Sequence, residues 1–171
     1  MNGGLASVVA EIERHVAAGG WDQPPRLYAL VSTADLVRRD PSLATSLGLA
    51  EATAAALTPV EQDPLPDQPL AQVLAGVAWP AQVLGAAVVT EALVLPPAAE
   101  AAIPPGEADP AGWAGASPAR REVRMAVGVL RDGSRAATLR LRGSTRADDE
   151  TLAGPELVPN LAAALAATLL D

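Results

Sequence analysis

The stretch from Arg121 to Arg142 constrains this chain more than any other, because it alternates on both sides of a short polar turn. Val123, Met125, Val127 and Val129 alternate with Arg124, Ala126 and Gly128; on the return, Ala137, Leu139 and Leu141 alternate with Thr138, Arg140 and Arg142. Strand side chains point to opposite faces with period two, so the two apolar sets share a face only if odd residues pair with odd ones. A three-residue loop, Arg131-Asp132-Gly133, achieves this, with Gly133 left-handed in a type I turn followed by a G1 bulge. A two-residue Asp132-Gly133 turn would mix Arg140 and Arg142 into the valine face. The pattern predicts a hairpin over 121–142 with Arg124, Arg140 and Arg142 together on its polar face, beside Glu122.

The other segments fit around that hairpin. Leu5, Val8, Val9, Ile12 and Val16 recur at helical spacing and stop at Gly19-Gly20, which predicts an amphipathic helix at about 4–18. Arg26 to Val31 reads as a short strand, and Ser32 or Thr33 caps a helix ending near Arg39. Asp40-Pro41 restarts a helix whose inner face is Leu43 and Leu47, closed by Gly48. Residues 50–57 are ambiguous; Leu57 to Glu61 suits a short strand, then comes a proline-rich connection. A helix over about Gln68 to Gly76 turns Leu70, Val73, Leu74 and Val77 inward. Val83 to Leu95 is apolar on both parities, as a strand covered on both faces should be. Pro96 to Pro118 is a long Pro/Ala/Gly excursion holding Trp113, with short helical turns near 98–102 and 111–115. Asp148, Asp149 and Glu150 mark an exposed acidic loop. Val158-Pro159 then opens a last helix with Leu161, Leu165 and Leu169 on one stripe.

This order predicts a single α/β domain of the α+β type over residues 1–171. A mainly antiparallel sheet carries helices packed on it, with amphipathic helices at both termini. Phe is absent and aromatics make up 2% of the chain, so the core must be assembled from Ala, Val and Leu. The apolar run Val73 to Leu95 raises a membrane span, but Pro80, Gln82 and Glu91 interrupt it. The start Met1-Asn2-Gly3-Gly4 has no basic region before the helix, so a signal peptide is not expected and the chain reads as cytoplasmic.

Charge and residue types exclude more chemistry than they suggest. The net charge is -8, Lys is absent and all 12 basic residues are Arg, which disfavours nucleic acid and anionic membranes as partners. With no Cys and one His, thiolate sites and the common soft-metal sites fall away, and neither a metal nor another cofactor is expected. His15 lies at the border of the first helix's buried face and reads as structural. There is no G-x-S-x-G elbow, Walker lysine or G-x-G-x-x-G turn.

The remaining candidates for a ligand site are Glu91, Arg124, Arg140, Arg142, Trp21 and Trp79. Glu91 shares the parity of Val89 and Leu93, so its carboxylate must be paired, protonated or facing a cleft. An arginine from the hairpin would be the plain structural answer. The three hairpin arginines could fork onto a phosphate or carboxylate, or form a solvated rim with nearby acids. Trp21, Trp79 and Trp113 sit beside Pro or Gly, where they either line a pocket or plug a core poor in aromatics.

Several stretches carry a family resemblance: IERHVAAGGWDQPPRLYALV, LTPVEQDPLP, the AWP turn at 78–80, LVLPP, REVRMAVGVLRDG and GPELVPNL. In this order they resemble an actinobacterium-restricted family of uncharacterised conserved proteins, and the Arg-rich, Lys-free composition is consistent with a GC-rich genome. The resemblance implies a compact α/β structure and carries over no catalytic residue, cofactor or activity. The leading expectation is a non-catalytic cytoplasmic protein that binds a protein partner or a small ligand. The first alternative is an enzyme on a small anionic substrate, with Glu91 or Glu61 as base and Arg124 with Arg140 as clamp. The second is a scaffold that assembles with copies of itself through a sheet edge.

Overall fold

The computed structural model describes residues 2–46, 56–94, 101, 103–106, 108–109 and 121–170. The first helix, α1 (Asn2–Ala17), leads into strand β1 (Arg26–Ser32), then helices α2 (Thr33–Arg39) and α3 (Pro41–Ser46). Strand β2 (Leu57–Glu61), helix α4 (Leu70–Ala75) and the long strand β3 (Val83–Val94) follow. The hairpin supplies β4 (Arg121–Leu130) and β5 (Arg135–Leu141); β6 (Glu150–Gly154) and α5 (Pro159–Ala167) end the described fold. The strands form one sheet in the order β2-β1-β3-β4-β5-β6, every neighbouring pair antiparallel. This is an α+β architecture.

The hairpin has the register that its alternation demands. Val123 faces Leu141, Arg124 faces Arg140 and Val127 faces Ala137, so odd residues pair with odd. The Leu130 N–H donates to Ser134 O at 2.9 Å, leaving 131–133 as the loop, and Gly133 has φ 91°. Ser32 caps α2 by accepting from the Asp35 N–H, and Pro41 opens α3. The strand expected at Leu57 to Glu61 has those bounds, whereas the fourth helix starts at Leu70, two residues later than the pattern suggests. Leu47, Gly48, Trp113 and the turns expected near 98–102 and 111–115 lie largely or wholly outside the described residues, as does the Leu43 side chain.

One strand has no signal in the sequence. Glu150–Gly154 pairs with β5, placing Leu139 opposite Leu152 and Arg140 opposite Thr151. Glu-Thr-Leu-Ala-Gly has no apolar alternation, because an edge strand half in solvent imposes none. The two edges differ: β2 has Pro59 at its centre, while β6 leaves Leu152 half exposed.

Two apolar layers sandwich the sheet. On one face Leu5, Val8, Val9, Ile12 and Val16 of α1 bury against Tyr28, Leu30, Ala87, Val89, Ala126 and Ala136. Gly128 permits the close approach there, since a Cβ on it would stand 2.6 Å from Val9 Cγ2. On the other face α4, α5 and the turn after it bring Leu74, Ala162, Leu165 and Leu169 against Leu27, Val88, Val127 and Val129. On the even face of the hairpin, Arg124 and Arg140 therefore lie under α1 and not on a solvated surface, while Arg142 and Glu122 stay at its exposed rim. Arg124 has no exposure at all.

Candidate functional site

Glu13 stands on the buried stripe of α1, one turn beyond Val9 and one before Val16, and is 1% exposed. At this position a carboxylate meets the even face of the hairpin, where β4 and β5 set Arg124 and Arg140 side by side. Arg140 Nε and Nη2 donate to the two Glu13 oxygens at 2.5 and 2.9 Å, a bidentate pair. That bonding raises the Arg140 pKa, with the charges of Glu13 and Asp149 adding to the effect against desolvation. Arg124 Nη1 lies 3.9 Å from Glu13 Oε1, beyond hydrogen-bonding reach.

Glu91 comes from β3, directly opposite Arg124. Its Oε2 accepts from Arg124 Nη2 at 3.0 Å and from the Gln23 N–H at 3.2 Å; its Oε1 accepts from the Asp22 N–H at 2.9 Å. An arginine from the hairpin is thus the partner of this strand carboxylate. Glu91 also pins the loop between α1 and β1, which turns on two left-handed residues, Gly20 at φ 86° and Asp22 at φ 64°. Gln23 secures the same loop, donating to Val16 O at 2.8 Å and Gly20 O at 2.7 Å while accepting from Arg26 Nη2. Gly20 O also accepts from Arg124 Nη2.

The loop delivers Trp21 onto the arginines. The Arg124 guanidinium carbon is 4.5 Å from the Trp21 ring centroid and that of Arg142 is 5.5 Å, both within cation–π range. The Trp21 Nε1–H donates to Asp149 Oδ2 at 3.2 Å, and Asp149 Oδ1 accepts from the Gly143 N–H at 2.7 Å. The expected solvating acidic run therefore divides. Asp148 faces water and takes the hydroxyls of Ser144 and Thr145, which hold its carboxyl below the usual range. The Asp149 side chain, 3% exposed, turns inward. Arg142 forms the rim with Glu122 and, at 3.7 Å, Asp22.

Between these groups lies a pocket of about 240 Å³. Its walls are Trp21 and Gly20 from the loop, Arg124, Arg140 and Arg142 from the hairpin, and Ser144, Thr145 and Asp149 from the turn before β6. Five of the six sequence candidates, Glu91, Arg124, Arg140, Arg142 and Trp21, meet in or beside it. Trp79 does not: it packs on the α5 face and donates to Thr168 Oγ1 at 2.9 Å. Glu61 is also elsewhere, paired with Arg26 at 3.2 Å. His15 is exposed. Glu13 and Asp149 were not among the sequence candidates. The helical spacing of Glu13 from Val9 and Val16 was the available signal; for Asp149 there was none.

Among the described residues, three buried side-chain polar atoms lack a hydrogen-bond partner: Tyr28 Oη, Arg124 Nε and Arg124 Nη1. Two of them belong to the residue at the centre of this pocket. A larger hollow of about 440 Å³ runs beside Pro24, Pro25 and Pro64. Its arginine, Arg26, already bonds Glu61 and Gln23, so it offers no comparable unmet donor. No described group of three or more His, Cys, Asp or Glu side chains is arranged to hold a metal ion. No helix among the described residues is long and apolar enough to cross a membrane.

A six-stranded antiparallel sheet with helices on both faces, and a tryptophan stacked on buried arginines at one end, defines an α+β protein with a polar pocket under its first helix. The chain belongs to the PPA1309-like protein family, whose model matches residues 5–170. No curated protein and no solved structure matches it.

Proposed function

We propose that this is a non-catalytic cytoplasmic protein that binds a small molecule in the pocket of Trp21, Arg124, Arg140 and Arg142. The observation carrying this reading is Arg124: wholly buried, lining the pocket, with Nε and Nη1 lacking an acceptor among the described residues. Each buried donor left unmet costs about 1–3 kcal/mol, more when it is charged. A ligand oxygen that reached either nitrogen would recover part of that cost. The volume suits a metabolite and is below the range of drug-sized ligands.

The bonding of the acids supports binding over turnover. Glu91 accepts from three donors and Glu13 forms a bidentate pair with Arg140. A general base needs a lone pair within reach of a substrate proton, and these carboxylates are committed to holding the loop and the hairpin. An actinobacterial range belongs to the same proposal and rests on the Lys-free, Arg- and Ala-rich composition and the ordered stretches quoted above; the cytoplasmic setting rests on the interruption of the apolar run Val73 to Leu95 by Pro80, Gln82 and Glu91.

A thermal-shift panel of nucleotides, phosphorylated metabolites, organic acids, amino acids and amines tests the reading. A ligand at 100 times its Kd adds about 2.7 kcal/mol to stability. The expected result is a rise in Tm that Arg142→Ala, a change at the half-exposed rim, diminishes. A hit unaffected by pocket substitutions, or chemical turnover of the bound compound, overturns the proposal.

A further inference from the structure

The charges around Arg124 restrict what can enter. Taking the side chains no more than 17% exposed, three carboxylates (Glu13, Glu91, Asp149) stand against two guanidiniums (Arg124, Arg140), a formal charge of −1. The rim does not reverse the sign, because Arg142 is matched there by both Glu122 and Asp22. The pocket and the buried cluster behind it thus combine two properties that a simple anion site lacks. The unmet hydrogen-bonding groups are donors, Arg124 Nε and Nη1, and they call for an oxygen acceptor. The charged side chains on the wall itself are Arg124, Arg140, Arg142 and Asp149, but the buried cluster in which the unmet donors sit is net negative, and a phosphate or dicarboxylate would add to that excess of the same sign.

Resting on the binding site proposed above, we infer that the ligand is a small ammonium compound that also carries a carbonyl or carboxylate oxygen: an α-amino acid or α-amino amide. The oxygen meets the Arg124 donors. The ammonium lies towards Asp149, whose inward carboxylate, among the described residues, has the Trp21 indole and the Gly143 N–H as hydrogen-bond donors and stands 4.0 Å from the nearest Arg140 nitrogen. Adjacent-carbon spacing of the two groups fits a pocket of about 240 Å³ that has guanidinium and carboxylate on its wall together. A guanidinium already stacked on Trp21 is held in place before the ligand arrives, which lowers the ordering cost of binding.

The experiment is a charge ladder with a constant acceptor, read by titration calorimetry on the full chain. The twenty standard L-amino acids and their amides are screened first. Any binder is then compared with its des-amino acid, which keeps the oxygen and loses the ammonium, and with its decarboxylated amine, which does the reverse. Inorganic phosphate is titrated alongside. The expected result is that amide and amino acid bind, with the des-amino acid and the amine each at least tenfold weaker and phosphate without heat. If the des-amino acid or phosphate binds as tightly as the amino acid, the inference falls while the pocket stands. If no compound of the ladder binds but another class from the wider panel does, the inference again falls and the pocket again stands. If nothing binds in either panel, both proposals fall. Asp149→Asn sharpens a positive result, because it should weaken the amino acid at least tenfold and leave the des-amino acid unchanged or tighter; the wild-type ladder decides without it.

Discussion

Arg131 and Arg124 lie on the same hairpin and meet opposite circumstances. Arg131, in the loop, spends every nitrogen on backbone carbonyls: Nε on Val83 O at 2.8 Å, Nη1 on Leu169 O at 2.5 Å, and Nη2 on Trp79 O and Pro80 O at 3.2 Å. It ties the end of the chain after α5 and the turn before β3 to the hairpin, and positive charge suits the carbonyls that a helix end presents. Among the described residues Arg124, in the strand, has carbonyl and carboxylate partners for Nη2 alone. The two faces of the sheet differ in the same sense. The α5 face closes over Leu, Val and Ala with its arginine fully used, while the α1 face ends in a charged cluster with donors to spare. A fully bonded arginine is a fastener; a buried one with unmet donors is a reason to look for a ligand.

The largest effect should come from removing the acid that balances the α1 cluster. Glu13→Ala leaves Arg124 and Arg140 buried without their shared carboxylate and is expected to cost about 3–5 kcal/mol, read from the urea midpoint. A loss below 1 kcal/mol, on the order of an exposed pair, would erase the contrast between the two faces. Next in size, Arg131→Met should cost about 1–3 kcal/mol, because it strips hydrogen bonds from several carbonyls at once. It should leave affinity at the Trp21 pocket unchanged once the folded fraction is accounted for; a change in affinity would mean that the two faces are coupled. The smallest effect separates the two residues that hold unmet buried polar atoms. Tyr28→Phe removes a hydroxyl whose one near partner, Arg26, falls short of full hydrogen-bond geometry, and should leave stability at neutral pH the same or higher by about 1 kcal/mol.

Tyr28 also carries a pH signature. Burial, and then the negative charge of Glu61, raise its pKa above the usual tyrosine value, against a smaller lowering by Arg26. The fold therefore favours the neutral phenol. Its contribution is fully present below the unfolded-state value of about 10 and is lost as pH rises through the higher folded value. The alkaline limb of the stability curve should be shallower in Tyr28→Phe than in the wild type, and an unchanged limb would mean that the hydroxyl is solvated.

The parts of the site that could be read in the sequence are those written in a period. Alternation over 121–142 puts Arg124 beside Arg140 whatever lies above them, and the parity of Glu91 with Val89 puts it on the same face of β3. Glu13 was equally periodic, four residues after Val9, yet a lone acid on an apolar stripe draws notice only once its partner is known. Asp149 is different. Whether it or Asp148 turns inward depends on a single 3-10 turn over Arg146–Asp148 and on the hydroxyls of Ser144 and Thr145, which take Asp148 outward. No repeat announces such a choice.

The sequence by itself determined the hairpin and its loop, the buried stripe of α1 and the need of Glu91 for a partner, because each follows from side-chain direction within one element. Only the tertiary structure decided that α1 lies over the arginine-bearing face. The packing of Leu5 and Val9 against Gly128 made that choice, and it converted a surface row of charges into a buried cluster. Which donors remained unmet was decided last, by the meeting of four separate segments around Arg124: α1, the Trp21 loop, β3 and the turn before β6. Local chain geometry fixes where a side chain points, but what it meets there depends on residues far away in sequence.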